Sequence, residues 1–576
     1  MTRTLPRVIA ALLGIASIPA AAQTDTVLRA MRDELARSMN DLRLGELEPP
    51  YFVGYAVREV TDVRADASLG AMASSSETKS RALHVEVRVG DRNLDNTNFY
   101  SRPSPGSFST TRVVLPLEDD YLELRRAIWL ATDSAYKVAL DQISRKRAVL
   151  QNETVVEATP DFSVEDPFTH QGGPTLSAPD PSRVRALALE LSAVFGDHAD
   201  IHASSVNARA LGIRVRYVNS EGSSFVRNDP AASVTVRATT RAPDGSEISD
   251  SFIAYGRTWE RLPDRRELLE RSAALAARLG DLREAQILDR YAGPILFEGQ
   301  AAAELVRQVL LPRLLVQRAP HAERRMRQAL ERLANPYQDK LGSRVLPRFL
   351  AITDDPTLSE NEQGPLWGGY AVDDEGVPAR ETTVVRRGML RTLLSTRNPI
   401  EGISQSSGHM RAGGSAPSNL VVSSSDGLTV DEMSEEFRAL VEERELEYGI
   451  IVRRLRASSG SAFARGPSGP SRGDRSLRAV VAVKAFPDGR EELVRQAVLT
   501  GLSEGSFRDI VAASEAVTNH TIAFRPSGSF DPLSFMNPAR RYGALASLVV
   551  PSLLFEDVSA RRPPGNIPLP PVVPKP

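Results

Sequence analysis

The 576-residue sequence contains no cysteine. This absence excludes disulfides, thiolate zinc sites, a cysteine nucleophile and a lipid-modified N-terminal cysteine. The net charge is also small, −2 at pH 7, so no overall positive electrostatic field attracts nucleic acid or an anionic membrane surface. Arginine outnumbers lysine, but the arginines are scattered among acids, which is typical of a solvated surface. We therefore expect no nucleic-acid partner.

Apolar runs are few, and one of them lies near the N-terminus. Arg3 and Arg7 precede the apolar residues 8–18, and three alanines follow at 20–22. A membrane span takes about 20 residues, so this run is too short to be one, and its flanks are those of a cleavable signal peptide. We predict a signal peptide over residues 1–22, export to the periplasm or the extracellular space, and no membrane insertion of the mature chain.

The familiar catalytic motifs are missing. The chain has no HExxH or HExxxH zinc motif, no G-x-S-x-G nucleophile elbow and no phosphate-binding loop. His198 and His202 are four residues apart, but a helix pattern ends near Gly196 and a strand pattern follows. Strand residues four apart are separated by about 13 Å, too far to share one metal ion. His409, inside a Gly/Ser-rich stretch, is the histidine most typical of a site.

Hydrophobic periodicity predicts an α+β protein of several domains. Helix patterns cover residues 119–146 and follow Asp180, with a Pro-, Gly- and Asp-rich linker or long loop at 160–181. Alternating strand patterns flank a hairpin turn at 219–222. We predict an N-terminal α/β domain at 23–180, a middle domain at 181–295 and a C-terminal domain rich in antiparallel strands at 296–562. A mobile loop at 458–474 and a proline-rich tail at 563–576 complete the prediction.

Five segments, in order, resemble one family. The segments are 217–222 (YVNSEG), 379–394 (ARETTVVRRGMLRTLL), 408–420 (GHMRAGGSAPSNL), the stretch from Asp488-Gly489 to Ile510, and 550–556 (VPSLLFE). Together they are similar to the TldD/PmbA family of metallopeptidase-related proteins. The resemblance extends over nearly all of the mature chain and is weakest in its first part.

The resemblance carries expectations about chemistry. Active members of the family bind a metal through HExxxH and a distant cysteine, and they cut peptides in a cavity formed with a partner subunit. The motif belongs on the helix that follows Phe297, predicted here at 301–311 and ended by Pro312, with Arg307 and Gln308 where the first His and the Glu stand. The chain thus resembles the TldE/PmbA-type partner, which lacks the motif. We expect no cofactor in this chain, zinc in a partner subunit, and a homo- or hetero-oligomer with a TldD-like paralogue.

Three functional hypotheses follow. The first is an exported, non-zinc-binding subunit that shapes a proteolytic chamber; the second is a metallopeptidase with atypical ligands around His409; the third is an exported peptide-binding or chaperone-like protein.

No catalytic or metal-binding residue is assigned. Glycine lets a ligand's backbone approach closely, although the same glycines would also serve a surface turn. The predicted peptide-binding residues are Asn219, Ser220, Glu221, Gly408, His409, Gly413 and Gly414.

Overall fold

The computed structural model describes residues 25–100, 112–151, 159–176, 179–316, 318–322, 335–457, 477–526 and 543–563. The predicted signal peptide, the loop predicted at 458–474 and the proline-rich tail beyond residue 563 lie outside the described residues. The helices are α1 (Thr26–Asp41), α2 (Tyr121–Leu150), α3 (Pro181–Ala193), α4 (Arg265–Glu284), α5 (Gln300–Leu305) and α6 (Val430–Glu443).

The helix starts follow the local chemistry of the sequence. The Asp120 carboxylate accepts a hydrogen bond from the backbone N–H of Glu123 at 2.8 Å, and α2 begins at Tyr121, directly after Asp120. Asp180 caps α3 in the same way, 2.8 Å from the N–H of Ser182, with Pro181 in the first turn. A capping carboxylate satisfies an N–H that the helix itself cannot pair. The predicted helix starts near 119 and at 181 are therefore confirmed.

The first half of the chain forms an eight-stranded, mostly antiparallel sheet. Its path runs β4-β2-β1-β6-β7-β5, with β8 paired to β6 and β9 to β8. Helices α1 and α2 pack over β1 and β2, while α3 and α4 cover the part of the sheet around β6, β8 and β9. The strands are β1 (Pro50–Ser68), β2 (Ala71–Val89), β4 (Arg112–Leu115), β5 (Thr169–Gly172), β6 (Ile201–Asn219), β7 (Ser224–Asn228), β8 (Ala231–Arg241) and β9 (Glu247–Gly256).

The second half forms a twelve-stranded mixed sheet along the path β10-β23-β22-β21-β11-β26-β20-β13-β16-β17, with β24 and β25 also joined to β26. Its core contains α5, and α6 packs against β11, β21 and β25. The strands are β10 (Gln286–Ile287), β11 (Arg290–Phe297), β13 (Leu350–Asp354), β16 (Thr382–Arg386), β17 (Met389–Leu390), β20 (Asn419–Ser424), β21 (Gly449–Leu455), β22 (Leu477–Ala485), β23 (Glu491–Arg495), β24 (Val498–Thr500), β25 (Ile510–Phe524) and β26 (Ala544–Arg561).

Three two-stranded ribbons complete the described elements. They are β3 (Phe99–Tyr100) with β12 (His321–Ala322), β14 (Glu360–Asn361) with β15 (Gly364–Pro365), and β18 (Met410–Arg411) with β19 (Gly414–Ser415). The predicted α+β class, with a C-terminal part rich in antiparallel strands, is confirmed. Of the described helices, none combines the length and apolar character that crossing a membrane requires.

Strands from both sides of the predicted boundary at 180 share the first sheet. β1, which precedes the boundary, pairs with β6, which follows it, from Gly54↔Asn219 to Ala67↔Val206. The segment predicted as a linker or loop contributes β5, which runs parallel to β7. The division between the predicted N-terminal and middle domains therefore falls within one hydrogen-bonded layer. At the other predicted boundary, β10 and β11 begin the second sheet slightly before residue 296.

Candidate functional site

The helix that should carry the family's metal motif is short and changes its geometry. α5 follows Gly299, whose positive φ of 51° allows the sharp turn from β11. Residues 301–305 are all buried, and three of them are alanines that let the helix lie close to β21 and β26. At Val306 the α-helix gives way to a π turn through Leu310, followed by a 3₁₀ turn that contains Pro312. The predicted helix at 301–311 is thus α-helical only to Leu305.

A buried carboxylate organises the polar groups on this turn. The Arg307 guanidinium donates to both Glu304 carboxylate oxygens at 3.0 Å. Gln308 Nε2 donates to Glu304 Oε2 at 2.9 Å, and His520 Nε2, on β25, lies 3.0 Å from Glu304 Oε1. We call these four residues the Glu304 cluster. Among the described residues, each of these hydrogen-bond partners of the carboxylate supplies a nitrogen atom.

The electrostatics of the cluster stabilise a charged carboxylate. Burial acts to raise the pKa of Glu304, whose side chain is 1% exposed. The hydrogen bond from His520 and the positive charge of Arg307 outweigh that effect and hold the pKa below its usual range. Glu304 is therefore an anion with its own cation already in place.

This donor set does not fit a zinc ion. Zinc in a peptidase takes three protein ligands with free lone pairs and keeps one position for water. Arg307 and Gln308 instead present N–H groups to Glu304, and both oxygens of that carboxylate are engaged. Across the described ranges no group of three or more His, Asp or Glu side chains is placed to hold a metal. His198 and His202 are exposed, on a turn and on β6.

The predicted hairpin at 219–222 is present, but its polar side chains are already engaged. Asn219 Oδ1 accepts from the N–H of Glu221 at 3.1 Å, and Ser220 Oγ accepts from the N–H of Val53 at 3.1 Å. The Glu221 carboxylate pairs with the buried guanidinium of Arg397 at 2.5 Å. These residues fix the turn and tie the first sheet to the C-terminal domain. Their predicted role in peptide binding stays a prediction.

His409 lies in the interior rather than on an open loop. Its side chain is fully buried, and Nε2 lies 2.9 Å from Asp354 Oδ1 on β13. On its other side, Nδ1 is 2.9 Å from both Ser407 Oγ and the Ser407 carbonyl oxygen. Asp354 also accepts from the backbone N–H of Ser418. A ligand at the surface of this segment therefore does not contact the imidazole directly.

The glycines beside His409 are required by the backbone. Gly408 has φ +77°, and a Cβ there would lie 2.7 Å from the Pro378 carbonyl oxygen. Gly413 has φ +82° at the turn between β18 and β19. A Cβ on Gly414 would come within 2.7 Å of the Pro526 ring. These glycines hold a tight ribbon in position, and whether they also receive a peptide stays a prediction.

A group of inward-facing arginines joins the two halves of the molecule, and sequence reasoning missed it. We call it the arginine cluster: Arg58 on β1, Arg227 on β7, Arg257 just after β9, and Arg411 on β18. Arg227 and Arg411 are 3% and 7% exposed. The sequence pattern indicated a solvated surface for the arginines, which is wrong at these positions. Asp374 lies 147 residues after Arg227, so the sequence near Arg227 gave no signal of this pair.

Two carboxylates pair with three of the four guanidinium groups. Asp374 pairs with Arg58 at 2.8 Å and with Arg227 at 2.5 Å. Asp229 pairs with Arg227 at 2.8 Å and contacts Arg411 at 3.4 Å. Burial acts to raise the pKa of Asp229, but the charges of Arg227 and Arg411 outweigh it and hold the pKa well below its usual range. Both carboxylates are therefore permanent anions at neutral pH.

The fold and the sequence of the second half define the class of this protein. A family model described as the PmbA/TldA metallopeptidase C-terminal domain matches residues 290–561. That range begins with β11 and ends with β26, so it covers nearly the whole second sheet. The class is thus metallopeptidase-related.

Solved structures extend the likeness to the rest of the chain. TldE from Thermococcus kodakarensis superposes with a TM-score of 0.56 at 14% identity, over 92% of this chain and 99% of that one. A candidate modulator of DNA gyrase from Thermotoga maritima gives a TM-score of 0.58 at 15% identity, over 92% and 99%. These likenesses concern the fold. The family match shows that residues 290–561 are a C-terminal domain of the PmbA/TldA metallopeptidase family.

Curated relatives match shorter pieces. A metalloprotease from Methanocaldococcus jannaschii is 36% identical over 61 residues, which are 11% of this chain and 12% of that protein. A metalloprotease from Methanothermobacter thermautotrophicus is 34% identical over 107 residues, 18% of this chain and 22% of that protein. The matches thus span less than a quarter of each relative's length.

Proposed function

We propose that this chain is the non-zinc-binding subunit of an exported TldD/PmbA-like peptidase system. In this role it forms part of a proteolytic chamber and holds peptide, and a TldD-like paralogue supplies the zinc. Family membership supports an involvement in proteolysis. The division of labour between two subunits is the step that we add.

The Glu304 cluster is the observation that carries the proposal. On the helix where the resemblance places the family's metal motif, Arg307 and Gln308 donate N–H groups to a buried carboxylate. A guanidinium stays protonated at any physiological pH, so Arg307 cannot become a zinc ligand. The cation that a metal would provide is supplied here by a side chain, which suits a structural wall better than a catalytic centre.

The contacts of His409 weigh against this chain being a metallopeptidase with atypical ligands. Asp354 and Ser407 already occupy the two sides of the imidazole, and the side chain is fully buried. A catalytic zinc needs an open position for water and substrate. Nothing about the site specifically favours the chaperone-like alternative over a chamber subunit.

Metal content and partner dependence test the proposal. The full chain, purified alone, should hold much less than one zinc per molecule and cleave no peptide in a mixture of short peptides. Chelator-sensitive cleavage should appear when it is combined with an exported HExxxH-bearing paralogue from the same cell, and should vanish when the paralogue's motif is mutated. One zinc per chain, lost together with activity in His409→Ala, would overturn the proposal. Failure to associate with any such paralogue would contradict the chamber role.

A further inference from the structure

The arginine cluster contains more positive charge than its carboxylates balance. Four guanidinium groups face Asp229 and Asp374, and Arg227 alone contacts both of them. Buried charge is costly unless it is paired and hydrogen-bonded. The cluster can therefore pair with a further anion. The arginines available for this are those that, unlike Arg227, have no close carboxylate.

Arg411 is the first of these. It is 7% exposed, its guanidinium is 4.5 Å from the centre of the Tyr370 ring, and its shortest carboxylate contact is 3.4 Å, to Asp229. Its Nη1 atom is buried and has no hydrogen-bond partner in the described part of the chain. Buried guanidinium nitrogens are nearly always paired, so Nη1 is available to a group that the described residues do not supply.

Arg257 is the second. Within the described residues it donates one hydrogen bond, from Nη2 to the Gly369 carbonyl oxygen, although a guanidinium carries five N–H donors. Burial lowers the pKa of Arg257 to about 10, and the neighbouring positive charges of Arg411 and Arg227 act in the same direction. Arg257 is only partly buried, so solvent reaches it. It therefore gives an anion access to the cluster.

We propose that Arg257 and Arg411 form a binding site for a carboxylate, and that the carboxylate is the C-terminal group of a bound peptide. The fork of guanidinium N–H donors matches the two oxygens of a carboxylate. The site lies just after β9 and on β18, in the β18–β19 ribbon that contains Gly413 and Gly414. The peptide assignment rests on the proposed function; the anion site itself does not.

The experiment uses trialanine, trialanine with an amidated C-terminus, and inorganic phosphate as probes, with the full-length chain in calorimetric titrations at constant ionic strength. Trialanine should bind, and its amide should bind at least about tenfold more weakly, as expected for the loss of a charge-assisted hydrogen bond. Arg257→Gln should weaken the binding of trialanine by a similar factor. Arg386→Gln, at an exposed arginine on β16, is the matched control and should change nothing.

The outcomes separate the two levels of the proposal. If phosphate binds through Arg257 but trialanine does not, the carboxylate assignment is wrong. If neither probe binds, or Arg257→Gln binds both as tightly as wild type, the site does not exist. Should Arg257→Gln fail to fold, Arg257→Lys keeps the charge but loses the fork and should still lower trialanine affinity. A chain that binds trialanine through Arg257 yet never pairs with a zinc subunit would leave this site standing and refute the chamber role.

Discussion

Breaking the Glu304 cluster should cost far more stability than breaking a surface ion pair. Glu304→Gln keeps the shape of the side chain but leaves the Arg307 guanidinium facing a neutral amide. Removing one partner of a fully buried pair costs about 3–5 kcal/mol. Because Arg307 is 15% exposed, we reduce this expectation to about 2–4 kcal/mol, after allowing for solvent.

A double-mutant cycle isolates the interaction from general damage. Arg307→Met removes the cation, and combining it with Glu304→Gln removes both charges. The double variant should be more stable than the sum of the two single losses predicts, by about 1–3 kcal/mol. Glu298→Gln is the control, because Glu298 and its partner Arg453 are 37% and 42% exposed and 3.3 Å apart. That change should cost no more than about 1 kcal/mol.

Urea unfolding at pH 7, followed by circular dichroism, measures each free energy of unfolding. The pKa of Glu304 is depressed in the fold, so the stabilisation is present above the ordinary pKa of glutamate and is lost as the pH falls through the depressed value. Wild type and Glu304→Gln should therefore converge in strong acid. Strictly additive single losses, or a Glu304→Gln cost as small as that of the control, would refute the idea of a closed ion cluster.

Two further predictions concern pH and export. Burial and the negative charge of Asp373 raise the pKa of Glu375 well above its usual range, so wild-type stability should fall as pH rises from about 4.3, the ordinary glutamate pKa, to the raised one. Burial also raises the pKa of Asp373, to about 6, which gives a fall of the same sign. Glu375→Gln should therefore reduce the fall and melt higher than wild type at alkaline pH; melting temperatures of wild type and variant that change in parallel from pH 5 to 9 would contradict this. We also propose export, and N-terminal sequencing of protein from the extracytoplasmic fraction should begin at or next to Gln23; a form that retains Arg3 would refute cleavage.

Local signals predicted local structure well. Asp180 followed by proline set a helix start, and the residues 219–222 set a hairpin turn, because a capping carboxylate and a glycine with φ +99° act within a few residues. The family resemblance also predicted a helix after Phe297, and α5 begins at Gln300; the position of the metal motif on that helix stays a prediction.

Long-range pairing limited the rest. The burial of His409 depends on Asp354, 55 residues earlier, and the arginine cluster depends on Asp374, 147 residues after Arg227. No periodicity in either segment encodes such contacts. The sharing of one sheet across residue 180 was missed for the same reason, since the pairing of β1 with β6 joins stretches that are distant in sequence.

The position of β26 in the second sheet has a kinetic consequence. Residues 544–561 pair with β11, β20, β24 and β25. All four of these strands precede β26 in the chain, so the ribosome synthesises them first. Until then β11 lacks its antiparallel neighbour, and partly formed strands present unpaired edges that favour aggregation. Joining β11 to β26 also closes a loop of some 250 residues, which slows folding. The second sheet thus becomes complete only after β26 has been synthesised.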